Sequence, residues 1–450
     1  MKKLLILFLL LFTFQTSRAQ TDKEIADVLR ERVDVGKTNQ SIVVGVIDEK
    51  GTRFTSYGRT NKTTDAKSAG ENTVFEIGSV TKVFTGTLLA EAIKRGEVRA
   101  DDPVSKFLPP TVKTPTRNGK EITLLDLATH TSGLPRLPAN FAPKDEQNPY
   151  ADYTIERMYD FLSNYTLTRD IGAKYEYSNF GMALLGHILS LRARMNYEDL
   201  VKARILKPLE MNDTTITLSA ELKSRTAQGF DENGEASGLW DFPKLEGAGA
   251  LRSTAKDMAK FVRANLYLTA TNLADVFAEA RKPRREAAGA NMKIGLGWHV
   301  LAASTGDVTW HNGGTGGFRS FVGFNPMQKR GIVVLTNSAE SVDDIGFHFL
   351  DEKIPLKKIK PFVVVSEKVL DEYVGSYELA PSVVFTVTRA GDKLFAQLTG
   401  QPRFRVFAET ENKFYYKVVN AQLTFNRAAD GKIESLTLHQ GGDQIARKTK

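Results

Sequence analysis

Cysteine is absent from this chain of 450 residues, which excludes disulfide staples, thiol nucleophiles and a lipid anchor on a terminal cysteine. Histidine is scarce. Six are scattered at 130, 187, 299, 311, 348 and 439, with no H-E-x-x-H or H-x-H run, so neither a zinc site nor any other metal or cofactor is expected. No G-x-S-x-G elbow occurs, which removes the α/β-hydrolase route to a reactive serine. No internal repeat or low-complexity tract is present, and the one long apolar run, Leu4 to Phe12, is too short to span a bilayer as a permanent helix.

What is present at the N-terminus assigns a compartment. Lys2 and Lys3 precede the apolar run, and the small residues Ser17 and Ala19 follow it, the pattern of a secretory signal occupying residues 1–19. The mature protein is expected in the periplasm or outside the cell, without an integral span. The formal charge of +8 falls by three when Lys2, Lys3 and Arg18 leave. The remaining basic residues are scattered, and the densest cluster, Arg281 to Arg285, has no interleaved aromatics, so nucleic acid is not an expected partner.

With 41% hydrophobic residues the chain can bury a large core, and its length suggests two domains or more. Ser41 to Ile47 and Thr52 to Tyr57 are β-rich and joined by Asp48-Glu49-Lys50-Gly51, a hairpin pattern. Further short β-rich runs follow at Gly297–Leu301, Val308–Trp310, Phe318–Phe324 and Gly331–Thr336, with largely helical patterning between the two groups. Pairing of these runs around a helical insertion makes an α+β domain over residues 20–350, with a cleft between its halves. The charged, proline-bounded stretch Lys353 to Pro361 reads as part of a linker over 351–364. Six β-rich runs between Val383 and His439, with Gly391-Asp392 and Asp430-Gly431 as turns, make residues 365–450 a small antiparallel barrel.

Three segments carry chemistry. In Ser79-Val80-Thr81-Lys82 the serine and lysine are three apart, so on a helix they share a face and the amine can take or relay the hydroxyl proton. Gly78 gives the entering backbone room to turn, and the first helical turn offers free amide hydrogens to a developing oxyanion. Alone, the tetrapeptide also fits an ordinary amphipathic helix. In Lys174–Asn179, Tyr177 and Asn179 are two apart, which in an extended segment places a phenol and an amide on one side. A phenol is a poor base at its ordinary pKa, about 10, so it would need an ammonium such as Lys82 beside it to favour phenolate; Tyr177 also fits simple packing. The third segment is Trp310-His311-Asn312-Gly313-Gly314-Thr315-Gly316-Gly317, whose glycines after a strand let a substrate approach the backbone and free an amide to polarise its carbonyl; a glycine-rich hairpin is the plain reading.

Taken in order, Ser-x-x-Lys, Tyr-x-Asn and His-x-Gly resemble the penicillin-recognising serine hydrolases, in the branch of class C β-lactamases and soluble DD-carboxypeptidases. Phe75-Glu76-Ile77-Gly78, Leu124 to Pro135, Lys207 to Met211 and Gly249 to Phe261 resemble the same family, so the likeness covers most of residues 22–350. Tyr373–Tyr377 and Leu394–Gly400 are similar to the lipocalin-like barrels appended to some of these hydrolases. The resemblance implies a β-lactamase/transpeptidase-like fold in which Ser79 is acylated, Lys82 and Tyr177 share the proton transfers, and the amides of Ser79 and Gly314 form an oxyanion hole. It implies that Asn179 binds a substrate amide and that His311 and Thr315 face the substrate carboxylate or leaving group. Whether Lys82 or Tyr177 is the base stays open.

Two departures bear on the substrate. Many β-lactamases carry lysine where His311 stands, and histidine, with an ordinary pKa of about 6.5, is mostly neutral at pH 7; this resembles carboxypeptidases and esterase-like members more than efficient resistance enzymes. Asn312 stands where a carboxylate-binding hydroxyl is frequent. The implied function is hydrolysis of β-lactam or D-alanyl peptide amides, with carboxylesterase or D-amino-acid amidase activity, or a non-enzymatic penicillin sensor, as the alternatives. The barrel is expected to serve contact between copies, to limit substrate size or to bind a ligand.

Overall fold

The computed structural model describes residues 21–361 and 363–450; the expected signal over residues 1–19 lies outside them. Eight antiparallel strands form the main sheet: β1 (Ser41–Asp48), β2 (Gly51–Gly58), β3 (Arg285–Glu286), β4 (Met292–Ile294), β5 (His299–Leu301), β6 (Val308–Gly314), β7 (Arg319–Asn325) and β8 (Arg330–Thr336). Their order is β2-β1-β8-β7-β6-β5-β4-β3. The N-terminal hairpin therefore joins the C-terminal strands through β1 and β8, with Ile42 opposite Thr336 and Val44 opposite Val334.

Alternation along β1 fixes the two layers. Ile42, Val44 and Val46 pack with Ile332 and Val334 of β8 beneath α1 (Asp22–Arg30), with Ile345 and Phe349 of a C-terminal helix completing that face. Val43, Ile47, Val333 and Leu335 face the other way into the larger core. That core surrounds α2 (Thr81–Lys94), whose residues Thr81 to Ala92 are all buried, so this helix is an axle inside the domain rather than an amphipathic cover. A second helix, α3 (Asn179–Ala193), is buried from Phe180 to Gly186 and is capped by Ser178, whose Oγ accepts from Gly181 N at 2.8 Å. With α4 (Ala255–Asn265) and α5 (Asp343–Leu350) on opposite faces of the sheet, the architecture is the expected α+β one, of β-lactamase/transpeptidase type.

Residues 351–361 and 363–366 hold no regular element. After α6 (Glu367–Tyr373) come β9 (Gly375–Ala380), β10 (Val383–Ala390), β11 (Lys393–Leu398), β12 (Phe404–Ala408), β13 (Lys413–Tyr416), β14 (Gln422–Arg427), β15 (Ile433–His439) and β16 (Asp443–Lys448). Each pairs with the next and β9 pairs with β16, so the sheet closes on itself and leaves no open edge. Aromatic side chains fill it: Tyr373 stacks on Phe425 with ring centroids 4.2 Å apart, and Phe414 meets Phe425 edge-on. The sequence-derived runs find six of the eight strands; β9 and β16 close the barrel.

One small hairpin ties the barrel to the main domain. Gly229–Phe230 pairs with Ala236–Ser237. At its base Phe230 N donates to the carbonyls of Gly317 (3.2 Å) and Asn337 (3.0 Å). At its tip Glu235 pairs with Lys393 of β11, and Arg405 of β12 donates to the Asn233 carbonyl at 2.6 Å.

Candidate active site

Ser79 does not sit on the first turn of an α-helix; it sits in the 3-10 turn Gly78–Val80 that feeds α2. Gly78 makes that turn possible. Its φ is +49°, and a Cβ there would lie 2.7 Å from the amide nitrogen of Gly314. The turn is held down by Ser320 of β7, whose Oγ donates to the Ile77 carbonyl at 2.8 Å. Two segments far apart in sequence are thereby pressed together, Ser79 on one and Gly314 on the other. The glycine run also departs from expectation: β6 continues through His311 and Asn312 to Gly314, paired with Arg319 of β7, instead of ending before the motif.

Lys82 is wholly buried on α2. Its Nζ is hydrogen-bonded to Ser79 Oγ at 2.9 Å and donates to the Ala248 carbonyl at 2.6 Å. The same atom lies 4.9 Å from the centre of the Tyr177 ring. No carboxylate pairs with it among the described residues. Burial, helped by the positive charge of Arg136, holds the amine well below its ordinary pKa, so the neutral form is favoured. The Tyr177 phenol is driven in the opposite direction: burial raises it, outweighing a hydrogen bond to Ser79 and the charge of Arg136. Burial thus disfavours charge on both groups beside the Ser79 hydroxyl, favouring the neutral amine and the protonated phenol.

Asn179 lines the cleft at the start of α3, and its Oδ1 is buried with no hydrogen-bond partner among the described residues, an acceptor open to a ligand N–H. Gly314 and Thr315 line the same cleft, about 500 Å³ in volume, and the loop closes on itself through Thr315 N donating to Phe318 O at 3.1 Å. His311 lies beneath the cleft wall, fully buried. Its Nδ1 is 2.5 Å from the Asn312 carbonyl, so Nδ1 carries the proton. Burial, with His299 and Lys82 adding, holds its pKa well below the ordinary value. Asn312 is engaged elsewhere: its Nδ2 donates to Asp343 at 2.7 Å.

Three of the six histidines, His130, His299 and His311, dispersed in sequence, gather in space. His130 lies against Tyr177 with ring centroids 4.6 Å apart and accepts from Ser178 N at 3.1 Å. His299 sits 5.1 Å from His311 and is hydrogen-bonded to the Tyr175 hydroxyl at 2.9 Å. Burial keeps both neutral, His299 being pushed down to about 4. Despite this gathering, no three His, Cys, Asp or Glu side chains among the described residues are placed to share a metal ion.

The remaining cleft wall comes from residues that no motif flagged. Tyr150, Trp240 and Phe242 form an aromatic side. Buried Glu76 anchors that side by accepting from Trp240 N at 2.8 Å and pairing with Arg252 at 3.3 Å. Two guanidinium groups reach the cleft. Arg319 is committed to the carbonyls of Thr315 and Phe318, whereas Arg136 is exposed and lies 5.2 Å from the Tyr177 ring centre.

Comparison with known proteins adds a relationship to this geometry. Residues 25–350 match the beta-lactamase family, and residues 361–448 match a domain of unknown function, DUF3471. The chain is 30% identical over 329 residues to the D-alanyl-D-alanine-carboxypeptidase/endopeptidase AmpH of Escherichia coli, covering 70% of this chain and 84% of that protein. It is 26% identical over 427 residues to penicillin-binding protein 4* of Bacillus subtilis, 86% of this chain and 90% of the relative. Among solved structures, a beta-lactamase/D-alanine carboxypeptidase from Yersinia pestis complexed with citrate superposes with a TM-score of 0.63 at 26% identity, over 72% of this chain and 94% of that one.

Proposed function

That the chain belongs to the beta-lactamase family is the premise from which we propose that it hydrolyses β-lactam or D-alanyl peptide amides through an ester on Ser79. The observation that carries this reading is the buried amine of Lys82, 2.9 Å from Ser79 Oγ and without a carboxylate partner among the described residues. A neutral amine accepts the hydroxyl proton as Oγ bonds to the substrate carbonyl carbon. The carbonyl oxygen becomes an oxyanion, for which the amides of Ser79 and Gly314 are the donors, a contribution of about 3 kcal/mol each when such a donor is removed. As the C–N bond breaks, the leaving nitrogen takes a proton from the Tyr177 phenol, which Lys82 restores. Water then enters by the reverse route, losing a proton to the same pair and releasing the acid and Ser79.

Asn179 Oδ1 supports amide donors, since it is an acceptor without a partner facing the cleft. Arg136 supplies the positive charge for a substrate carboxylate that a neutral His311 does not. The same neutral His311 favours one second reading, cleavage of simple esters or D-amino-acid amides whose leaving groups carry no charge. The protein works in the periplasm or outside the cell; its N-terminus after export is expected at Gln20. No helix among the described residues is long and apolar enough to cross a membrane.

The test compares nitrocefin, a D-alanyl-D-alanine peptide and a short-chain nitrophenyl ester with the natural protein and with Ser79→Ala. Loss of all turnover in the variant, with the peptide or the lactam as best substrate, is the expected result. Acylation of Ser79 by labelled penicillin without release would make the protein a sensor. Activity that survives Ser79→Ala and vanishes with a chelator would overturn the assignment.

A further inference from the structure

A cavity larger than the one over Ser79 is present among the described residues. It lies between the barrel and the main domain, has a volume of about 750 Å³ and shares no lining residue with the catalytic cleft. Phe407 and Lys417 of the barrel face Lys62 and Phe230 of the main domain across it.

Its walls are built around cations on aromatic faces. Lys417 Nζ lies 4.2 Å from the centre of the Phe407 ring, and the Arg405 guanidinium lies 4.7 Å from the same centre. Opposite them, Lys62 Nζ is 4.6 Å from the centre of Phe230 and donates to the Gly234 carbonyl at 2.5 Å. Lys417 has no hydrogen bond and no ion pair among the described residues, although it is half-buried. Burial pushes its amine down to about 8, with Arg405 and Lys357 adding to the effect and Glu340 opposing it.

Carboxylates line the cavity as well. Asp231 accepts from the amides of Asn233 (2.9 Å) and Glu235 (2.8 Å), Glu340 holds Lys357 at 2.8 Å, and Asp34 accepts from the Tyr57 hydroxyl at 2.6 Å. Counted as charges, the lining residues carry five carboxylates against six lysines and arginines, and Lys417 is paired to no carboxylate among the described residues. Like charges crowded on one ring repel, and an oxyanion set between Lys417 and Lys62 would relieve that repulsion through charge-assisted hydrogen bonds. The volume is that of an organic ligand rather than a bare ion, and the rings of Phe407 and Phe230 supply apolar contact for its body.

We propose that this cavity is a second binding site, taking an organic anion that carries a carboxylate or a phosphate ester. The experiment uses the full chain without its signal, titrated calorimetrically with phenyl phosphate, with benzoate and with neutral benzyl alcohol. At least one anion is expected to bind with a Kd of about 1 mM or tighter while benzyl alcohol does not. Which anion binds identifies the group recognised. Lys417→Met and Lys417→Gln are each expected to weaken binding by about tenfold or more and to leave turnover at Ser79 unchanged, while Arg136→Gln leaves the binding in place. Absence of anion binding, equal binding of benzyl alcohol, or binding that survives both Lys417 variants and is lost in Arg136→Gln would overturn the proposal. Because the readout is binding, it does not depend on which acyl donor Ser79 accepts.

Discussion

Lys82 Nζ and Ser79 Oγ are 2.9 Å apart, and the other hydrogen-bond acceptor at that amine is a backbone carbonyl, that of Ala248. A charged ammonium there would have no countercharge among the described residues, so proton affinity and reactivity are set by the same desolvation.

The first prediction is a pH profile. If, as proposed, the Lys82 amine takes the serine proton, it does so only when neutral, so kcat/KM is expected to rise as pH climbs through its lowered pKa and to fall on the acid side. Lys82→Met removes that limb and lowers kcat by about three orders of magnitude, in the range for loss of general-base catalysis. Steady-state rates from pH 4 to 9 with nitrocefin or the peptide check both; a Lys82→Met enzyme with unaltered kcat would contradict the role.

Acid stability is the second. Burial pushes the His299 imidazole down to about 4 in the folded protein, and histidine in an unfolded chain has a pKa of about 6.5. Between these values the unfolded state binds the extra proton, so stability is greatest above pH 6.5 and declines as pH falls toward 4. The slope is about 1.4 kcal/mol per pH unit for each such histidine. Urea unfolding at pH 7.5 and 4.5 measures the decline, and His299→Gln is expected to make it shallower by about one proton.

Gly78→Ala tests the join between Ser79 and Gly314. The left-handed φ and the approach of Gly314 N leave no room for a methyl group. The expected loss is about a hundredfold in kcat, because the oxyanion donor is displaced. KM should change less, and the melting temperature should fall by several degrees, as for an about 1–2 kcal/mol strain.

Asn179→Ala removes an acceptor, Oδ1, that has no partner of its own among the described residues, together with a side-chain hydrogen bond to the cleft residue Tyr150. Stability is expected to stay within about 0.5 kcal/mol. Activity on amides should fall by about tenfold or more, appearing mainly in kcat/KM, with a smaller effect on the nitrophenyl ester, which has no amide N–H to donate.

Much of this site is readable from local spacing. Ser79 and Lys82 share a turn, Tyr177 and Asn179 share a loop, and His311 and Gly314 share a strand end, so each pair declares itself within a few residues. The aromatic wall does not, because Tyr150, Trp240 and Phe242 meet only after the helical region folds over the sheet. His130 and His299 are hidden for the same reason: one follows a short helix, the other starts a three-residue strand, and only the packed core brings the first to Tyr177 and the second to His311. In the barrel, β16 escapes pattern reading because Asp443, Gln444, Arg447 and Lys448 give it little apolar alternation; hydrogen bonds to β15 and β9 decide its conformation. The strand through Gly313 and Gly314 is similar: glycine disfavours β structure alone, and its partner Arg319 strand supplies the pairing.

The hairpin from Gly229 to Ser237 touches the glycine loop of the cleft with its base and the barrel with its tip. For an evolving sequence this ties together segments that would otherwise drift apart freely. A change in the barrel that removes the Lys393 or Arg405 contact is therefore expected to reach Gly317, two residues beyond Thr315, and inherited variation in the appended domain to be filtered by its effect on the cleft.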